Sequence, residues 1–141
     1  PTVILMFGDH QPGDAVVRSL YTSVGQTYPP ESFEDQYKRY IVPFFLWTNF
    51  DIEERDDVTI SANYLSTLLC EVAGIELTPQ MKYLSELYEK YPVLNANGYI
   101  DSDGNLFSAD KINENNDLTE YSCIQYNLLF DRKERVEALF K

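Results

Sequence analysis

The chain has 141 residues, enough for one domain with its own hydrophobic core. Hydrophobic residues make up 44% of the chain, which excludes disorder over its bulk. Because 23 Asp and Glu residues outnumber 11 Lys and Arg residues, the formal net charge is −12, and this balance argues against nonspecific binding to nucleic acids or to an anionic membrane surface.

The first predicted element is a strand at residues 2–7, whose almost continuous apolar run is typical of a strand covered on both faces in a parallel sheet. The run stops at Gly8, and Asp9 and the chain's single histidine, His10, follow at once. Open α/β sheets place their chemistry at the carboxyl ends of strands. Asp and His are ligands that Zn²⁺ and Mn²⁺ both accept, so Asp9 and His10 are the candidate metal ligands.

Two geometries are open for this pair, and a third interpretation involves no metal. Adjacent side chains on an extended backbone point apart, so Asp9 and His10 suit either two closely spaced metal positions or one metal held by a tight turn. The alternative is a plain surface turn in which His happens to follow Asp.

The rest of the chain alternates helical and strand patterns, which predicts an α/β fold with a three-layer arrangement. A helix is expected at 61–73, with Ser61 as its N-cap and Gly74 just past its end. Thr78 and Pro79 begin the next helix, as N-cap and first residue. The other predicted elements are helices at 15–21, 31–40 and 118–130, with a weak extension through 131–141, a strand at 41–48 with Pro43 near its start, and a hairpin within 93–107.

The turn of that hairpin has a superficial likeness to a calcium loop. Asp101, Asp103 and Asn105 match the loop's opening, but Gly104 falls two positions too early and Ile112 stands where a bidentate Glu is required. A hairpin turn is therefore the better interpretation.

Other catalytic arrangements are missing or weak. A Ser-His-Asp or Cys-His site would have to use His10, and neither Cys70 nor Cys123 lies in an electropositive setting. Both cysteines fall in helix-like apolar patterns, which indicates buried free thiols, with a disulfide as the alternative. The residues alone thus predict an α/β domain with one candidate metal-ligand loop.

Beginning at Phe7-Gly8-Asp9-His10, the sequence resembles the sulfatase-like branch of the alkaline phosphatase superfamily, and more narrowly the lipoteichoic acid synthase and phosphoglycerol transferase family. Several short segments carry this resemblance in the same order along residues 3–130. They are 7–10, 40–49, 60–65, 68–69, 73–75, 92–94, 98–99 and 124–130.

The resemblance implies that residues 1–141 form a single domain, the C-terminal portion of an alkaline-phosphatase-like three-layer α/β/α fold with a small β-hairpin. The opening Pro1-Thr2, which enters a strand almost immediately, also suggests a piece of a longer protein. In the family, the Asp and His of this loop bind a catalytic divalent metal, manganese, zinc or magnesium, and these roles transfer to Asp9 and His10. The family's threonine nucleophile and its other ligands lie upstream, so no catalytic residue is assigned here and the fragment alone is expected to be inactive.

The implied parent is an enzyme anchored in the membrane by upstream segments, with its catalytic domain on the extracellular face of the cell membrane. It would transfer or hydrolyse phosphoglycerol or a related phosphate or sulfate ester of a lipid-linked or polymeric substrate, through a covalent intermediate. The expected partner of this segment is the remainder of the catalytic domain, with no nucleic acid and no membrane insertion by the segment itself. Two alternatives are a noncatalytic extracellular interaction module that keeps part of the fold, and an unrelated α/β protein.

Overall fold

The computed structural model describes residues 1–131 and 133–141 and has the mixed α/β character that the sequence predicts. The chain divides into two compact units. The N-terminal unit is Val3–Asn49, and the C-terminal unit is Phe50–Lys141 together with Pro1–Thr2. Each unit has its own small sheet. The expectation of a single domain over 1–141 stays a prediction.

The N-terminal unit is built on a two-stranded antiparallel ribbon with two helices in the connection between its strands. The register pairs Val3 with Thr48 and Phe7 with Phe44. Pro43, which has no N–H to donate, lies just before the second strand, as predicted. The elements in chain order are β1 (Val3–Phe7), α1 (Asp14–Ser23), α2 (Phe33–Lys38) and β2 (Phe44–Thr48).

The environment predicted for β1 is wrong in two respects. Its partner is antiparallel rather than parallel, and one face of the ribbon is exposed instead of covered. The register places Ile4 beside Trp47 and Met6 beside Phe45, and all four side chains are between 43% and 55% exposed. A continuous apolar run indicates burial on both faces only when a second layer is present to cover the outer face.

The C-terminal unit combines three helices with a three-stranded antiparallel meander. The single hairpin predicted within 93–107 is in fact two consecutive hairpins, because a tight turn at 96–97 separates two short strands that the sequence pattern merges. The elements are α3 (Leu65–Ala73), α4 (Pro79–Lys90), β3 (Val93–Asn95), β4 (Gly98–Ile100), β5 (Leu106–Ser108) and α5 (Asn116–Leu129), with 3₁₀ turns at Ala62–Tyr64, Ala109–Glu114 and Glu137–Leu139.

Two of the predicted helix ends are confirmed, and both are determined by residues within one helical turn. The Thr78 hydroxyl accepts the Met81 N–H at 3.2 Å and caps α4, and Gly74 ends α3 with a φ of 67°. Ser61 lies at the predicted N-cap position, ahead of the 3₁₀ turn that leads into α3, but its side chain makes no capping hydrogen bond. Its hydroxyl instead accepts the N–H of Leu94 at 3.0 Å, which joins the start of the helical segment to β3.

The core of the C-terminal unit lies between the helices and the meander. Tyr99 stacks on Phe107 with ring centroids 4.7 Å apart, and Tyr64 meets Tyr88 edge-on at 5.7 Å. Burial of these rings with leucines from α4 and α5 supplies the main stabilisation of the unit. The buried cluster consists of Tyr64, Leu84, Leu87, Leu94, Tyr99, Leu118 and Tyr121.

The weak helical extension predicted for 131–141 is wrong for the described residues. Helix α5 ends at Leu129, and Asn127 accepts the Val136 N–H at 2.9 Å through its side chain, which folds the following segment back. Residue 132 lies outside the described residues. No helix among 1–131 and 133–141 is both long and apolar enough to cross a bilayer.

Candidate metal-ligand loop

The Gly-Asp-His loop follows β1 directly and is held to the segment that enters β2. The Gly8 N–H donates to the Pro43 carbonyl at 3.0 Å, one step past the last ladder pair, Phe7 and Phe44. A Cβ added to Gly8 would lie 3.0 Å from the Val42 Cβ, so a glycine lets the two segments approach this closely. The loop therefore begins at a backbone position set by the ribbon.

One side-chain atom of Asp9 and one of His10 lie close together, while the second polar atom of each side chain makes a hydrogen bond. Asp9 uses Oδ1 to accept the His10 backbone N–H at 2.9 Å, and the His10 ring donates from Nδ1 to the Gln11 carbonyl at 2.7 Å. A carbonyl oxygen only accepts, so this contact needs a proton on Nδ1, and in the neutral ring the lone pair is then on Nε2. The two remaining atoms, Asp9 Oδ2 and His10 Nε2, are 3.5 Å apart.

This separation fits a shared metal ion. Two ligand atoms, each about 2.1 Å from a tetrahedral ion such as Zn²⁺, lie about 3.4 Å apart, close to the 3.5 Å between Oδ2 and Nε2. Of the two metal geometries that the sequence leaves open, this separation corresponds to one metal held by a tight turn. The same separation is also that of a simple ion pair, so the assignment of Asp9 and His10 as metal ligands stays a prediction.

The pair stands at the surface of the chain. The side chains of Asp9 and His10 are 85% and 76% exposed. Over residues 1–131 and 133–141, no group of three or more His, Cys, Asp and Glu side chains is placed to hold a metal ion. Asp9 and His10 thus form a pair of candidate ligands that faces solvent.

A polar cluster at the start of α1 lies next along the chain. Asp14 Oδ1 accepts two hydrogen bonds of 2.6 Å, one from the Tyr28 hydroxyl and one from Arg39. The bond from Tyr28 is the main reason that the pKa of Asp14 lies below its usual value, and the same bond raises the pKa of Tyr28. The Arg18 and Arg39 guanidinium groups lie 5.4 and 5.0 Å from the Tyr28 ring centroid. These contacts tie α1 to the loop before α2 and to the end of α2.

The apparent calcium loop is a turn, as predicted. The Asp101 carboxylate accepts the N–H groups of Asp103 at 3.0 Å and Asn105 at 2.8 Å, so its oxygens serve the β4–β5 turn. These hydrogen bonds also lower the pKa of Asp101, with the side-chain amide of Asn105 as the largest cause.

The two thiols are free rather than joined in a disulfide. Their predicted burial is wrong, since Cys70 is only partly buried and Cys123 is exposed. Cys123 lies on the outer side of α5, where the apolar pattern alone does not reveal which positions another element covers.

The residue that sequence reasoning missed is Gln11. Its side-chain amide donates to the Ile41 carbonyl, 30 residues away, and its own carbonyl receives the His10 ring proton. The sequence carries no periodic or motif signal for such a contact, because a Gln before Pro in a polar loop is unremarkable by composition.

No protein-family model matches the chain, and no solved structure matches it. One curated protein is similar over nearly the whole chain, the "Putative cyclic beta-1,2-glucan modification protein" of Rhizobium meliloti (strain 1021). The two are 28% identical over an alignment of 148 residues, which covers 99% of this chain but only 22% of the relative. The chain therefore spans about a fifth of the length of the curated relative it matches, a protein named for the modification of a cyclic β-1,2-glucan.

Proposed function

We propose that the chain is the C-terminal part of a sulfatase-like, metal-dependent enzyme of the lipoteichoic acid synthase and phosphoglycerol transferase type. The enzyme transfers or hydrolyses a phosphate or sulfate ester at the outer face of the cell membrane. The chain contributes Asp9 and His10 to a divalent metal site that holds manganese, zinc or magnesium. The other ligands and the nucleophile come from the rest of the parent protein.

The observation that carries this proposal is the convergence of Asp9 Oδ2 and His10 Nε2 at 3.5 Å, with the second polar atom of each side chain already hydrogen-bonded. With the His10 ring neutral, such an arrangement offers one lone pair from each residue to the same ion. A divalent metal bound by this pair neutralises charge on a transferred phosphoryl or sulfuryl group and helps to activate the nucleophile.

Two further observations support the part of the proposal in which the remaining metal ligands come from elsewhere in the parent protein. The pair is largely exposed, and the apolar face of the ribbon beside it, formed by Ile4, Met6, Phe45 and Trp47, is also exposed. Exposed apolar surface of this kind is typical of a face that packs against further polypeptide. In this proposal the remainder of the catalytic domain covers the face and supplies the missing ligands.

The name of the relative bears on which molecule accepts the transferred group. A protein named for glucan modification, combined with the resemblance to phosphoglycerol transferases, favours transfer of a phosphoglycerol group from a lipid-linked donor to a glucan hydroxyl. Hydrolysis of the same donor is the competing outcome, and product analysis with and without a cyclic glucan acceptor separates the two.

The test uses the full natural polypeptide that carries residues 1–141. With manganese present, the protein is expected to release phosphoglycerol from a labelled glycerophospholipid, and Asp9→Asn and His10→Gln should each lower the rate about 1000-fold, since a bound metal contributes several kcal/mol to the transition state. Asp103→Asn, in the β4–β5 turn, is the matched control and should retain activity.

Three results would contradict the proposal. Undiminished turnover in both loop variants would remove Asp9 and His10 from the site. Turnover of a generic phosphodiester by residues 1–141 alone, abolished by Asp9→Ala, would show that the chain is itself complete as an enzyme. A full-length protein that binds glucan but turns over no ester would favour the noncatalytic interaction module.

A further inference from the structure

The Asp9-His10 dipeptide is attached on both sides to one short segment of the N-terminal unit. Before it, the Gly8 N–H donates to the Pro43 carbonyl at 3.0 Å. After it, the Gln11 side-chain amide donates to the Ile41 carbonyl. The two acceptors are two residues apart, so the segment entering β2 clamps the loop at its start and at its end.

Gln11 also contacts the His10 ring through its backbone carbonyl. Its backbone carbonyl accepts the Nδ1 proton at 2.7 Å, and in the neutral ring Nε2 is then unprotonated, 3.5 Å from Asp9 Oδ2. In water the neutral histidine side chain prefers the opposite tautomer, with the proton on Nε2, so a fixed acceptor beside Nδ1 favours the tautomer that presents Nε2 as a ligand. In metal sites this role commonly falls to a backbone carbonyl or a carboxylate.

We propose that Gln11 is the positioning residue of this metal site. Its side chain anchors residue 11 to Ile41, and the anchored carbonyl holds the His10 ring in the orientation and tautomer that offer Nε2 to a divalent cation beside Asp9. The inference rests on the proposed metal-binding function of Asp9 and His10. It adds that ligand geometry depends on a residue that touches neither the metal nor the substrate.

The chain allows a direct spectroscopic test, because His10 is its single histidine. Long-range ¹H–¹⁵N correlation spectra at about pH 9, where imidazoles are neutral, report which ring nitrogen carries the proton. The wild-type chain is expected to be mainly protonated on Nδ1. Gln11→Met keeps the length of the side chain but removes the donor, and should shift the population toward the Nε2 tautomer. Gln11→Asn, too short to reach Ile41, should do the same.

Gln36→Met is the matched control, since the Gln36 amide also donates to loop carbonyls of the same unit, Pro30 at 3.1 Å and Glu31 at 3.4 Å. It should leave the His10 tautomer unchanged. In titrations of the full natural polypeptide with Mn²⁺ and Zn²⁺, Gln11→Met should weaken affinity about tenfold, the lower end of the effect of outer-shell partners. Circular dichroism confirms that each variant is folded.

The outcomes separate this inference from the proposed function. A wild-type ring protonated mainly on Nε2, or a tautomer ratio and metal affinity that Gln11→Met and Gln11→Asn leave unchanged, would overturn the role of Gln11. If Asp9→Ala and His10→Ala weaken metal binding while the Gln11 variants do not, only this inference fails. If none of the four variants changes metal affinity, the metal site itself fails.

Discussion

The Gly8 amide and the Pro43 carbonyl form a 3.0 Å hydrogen bond that continues the β1–β2 ladder past its last paired residues. This bond brings the backbone of Gly8 against Val42, whose Cβ would lie 3.0 Å from a Cβ placed on residue 8. Glycine is thus favoured at the start of the candidate metal-ligand loop because there is little room for a Cβ, and not because the backbone angles there are unusual.

Substitution of Gly8 should therefore disturb the ribbon and the loop together. Gly8→Ala is expected to lower the free energy of unfolding of the N-terminal unit by about 1 kcal/mol, because the branched Val42 side chain must shift to admit the new methyl group. Unfolding in denaturant, followed by the fluorescence of the single tryptophan, Trp47 in β2, measures this change.

Gly13→Ala is the control for that experiment. A Cβ at Gly13 meets nothing within 4 Å and the residue has ordinary extended angles, so the change should be neutral to within a few tenths of a kcal/mol. Equal effects of the two substitutions would show that the contact with Val42 does not constrain the loop.

Thr67 and Thr78 should respond in opposite directions to replacement by valine. Thr67 is 3% exposed and its hydroxyl has no hydrogen-bond partner in the described part of the chain, so Thr67→Val should stabilise the C-terminal unit by about 1 kcal/mol. The Thr78 hydroxyl caps α4 by accepting the Met81 N–H, so Thr78→Val should cost about 1 kcal/mol. Thermal unfolding by circular dichroism measures both, and a loss of stability in Thr67→Val would mean that its hydroxyl has a bound partner.

Tyr83 should make the C-terminal unit sensitive to alkali. Burial is the largest cause that raises the pKa of Tyr83 from 10.0 to about 12, with the Glu120 and Asp117 charges as further causes. The folded state therefore holds the phenol proton more tightly than the unfolded state, and the corresponding stabilisation is complete below pH 10 and lost as the pH rises through 12.

The slope of stability against pH in this window is the measurement. Tyr83→Phe loses the hydrogen bond to the Asp117 carbonyl and should be less stable at neutral pH, but its stability should fall less steeply with pH. A slope remains because burial also raises the pKa of Tyr64 and Tyr121. Identical slopes for wild type and Tyr83→Phe would refute the role of Tyr83.

Under the proposed function, the exposed face of the ribbon predicts a difference between residues 1–141 alone and the longer parent protein. Met6 is 55% exposed, so Met6→Lys should change the stability of residues 1–141 by less than about 0.5 kcal/mol while reducing self-association and dye binding. If the parent covers this face, the same substitution should destabilise the parent by at least about 2 kcal/mol, since it buries an unpaired charge. Met6→Leu is the apolar control, and analytical ultracentrifugation with thermal unfolding of both proteins provides the comparison.

Local signals in the sequence predicted the elements whose ends depend on neighbouring residues. Thr78 with Pro79 begins α4 and Gly74 ends α3, because a cap or a left-handed residue acts within one helical turn. Failures occurred where a distant residue decides the outcome. Ser61 has the chemistry of a cap, but its hydroxyl accepts the N–H of Leu94 from β3. The antiparallel pairing of β1 with β2 likewise depends on a segment about 40 residues away.

The candidate site shows the same division between sequence and tertiary structure. The residue order alone places Asp9 and His10 directly after a strand and thereby makes them the candidate ligands. Only the folded chain brings Asp9 Oδ2 within 3.5 Å of His10 Nε2. On an extended backbone these adjacent side chains would diverge. They converge in a turn where Asp9 accepts the His10 backbone N–H and the His10 ring contacts the Gln11 carbonyl. Hydrogen bonds from Gly8 to Pro43 and from Gln11 to Ile41 join the two ends of this turn to the entry to β2.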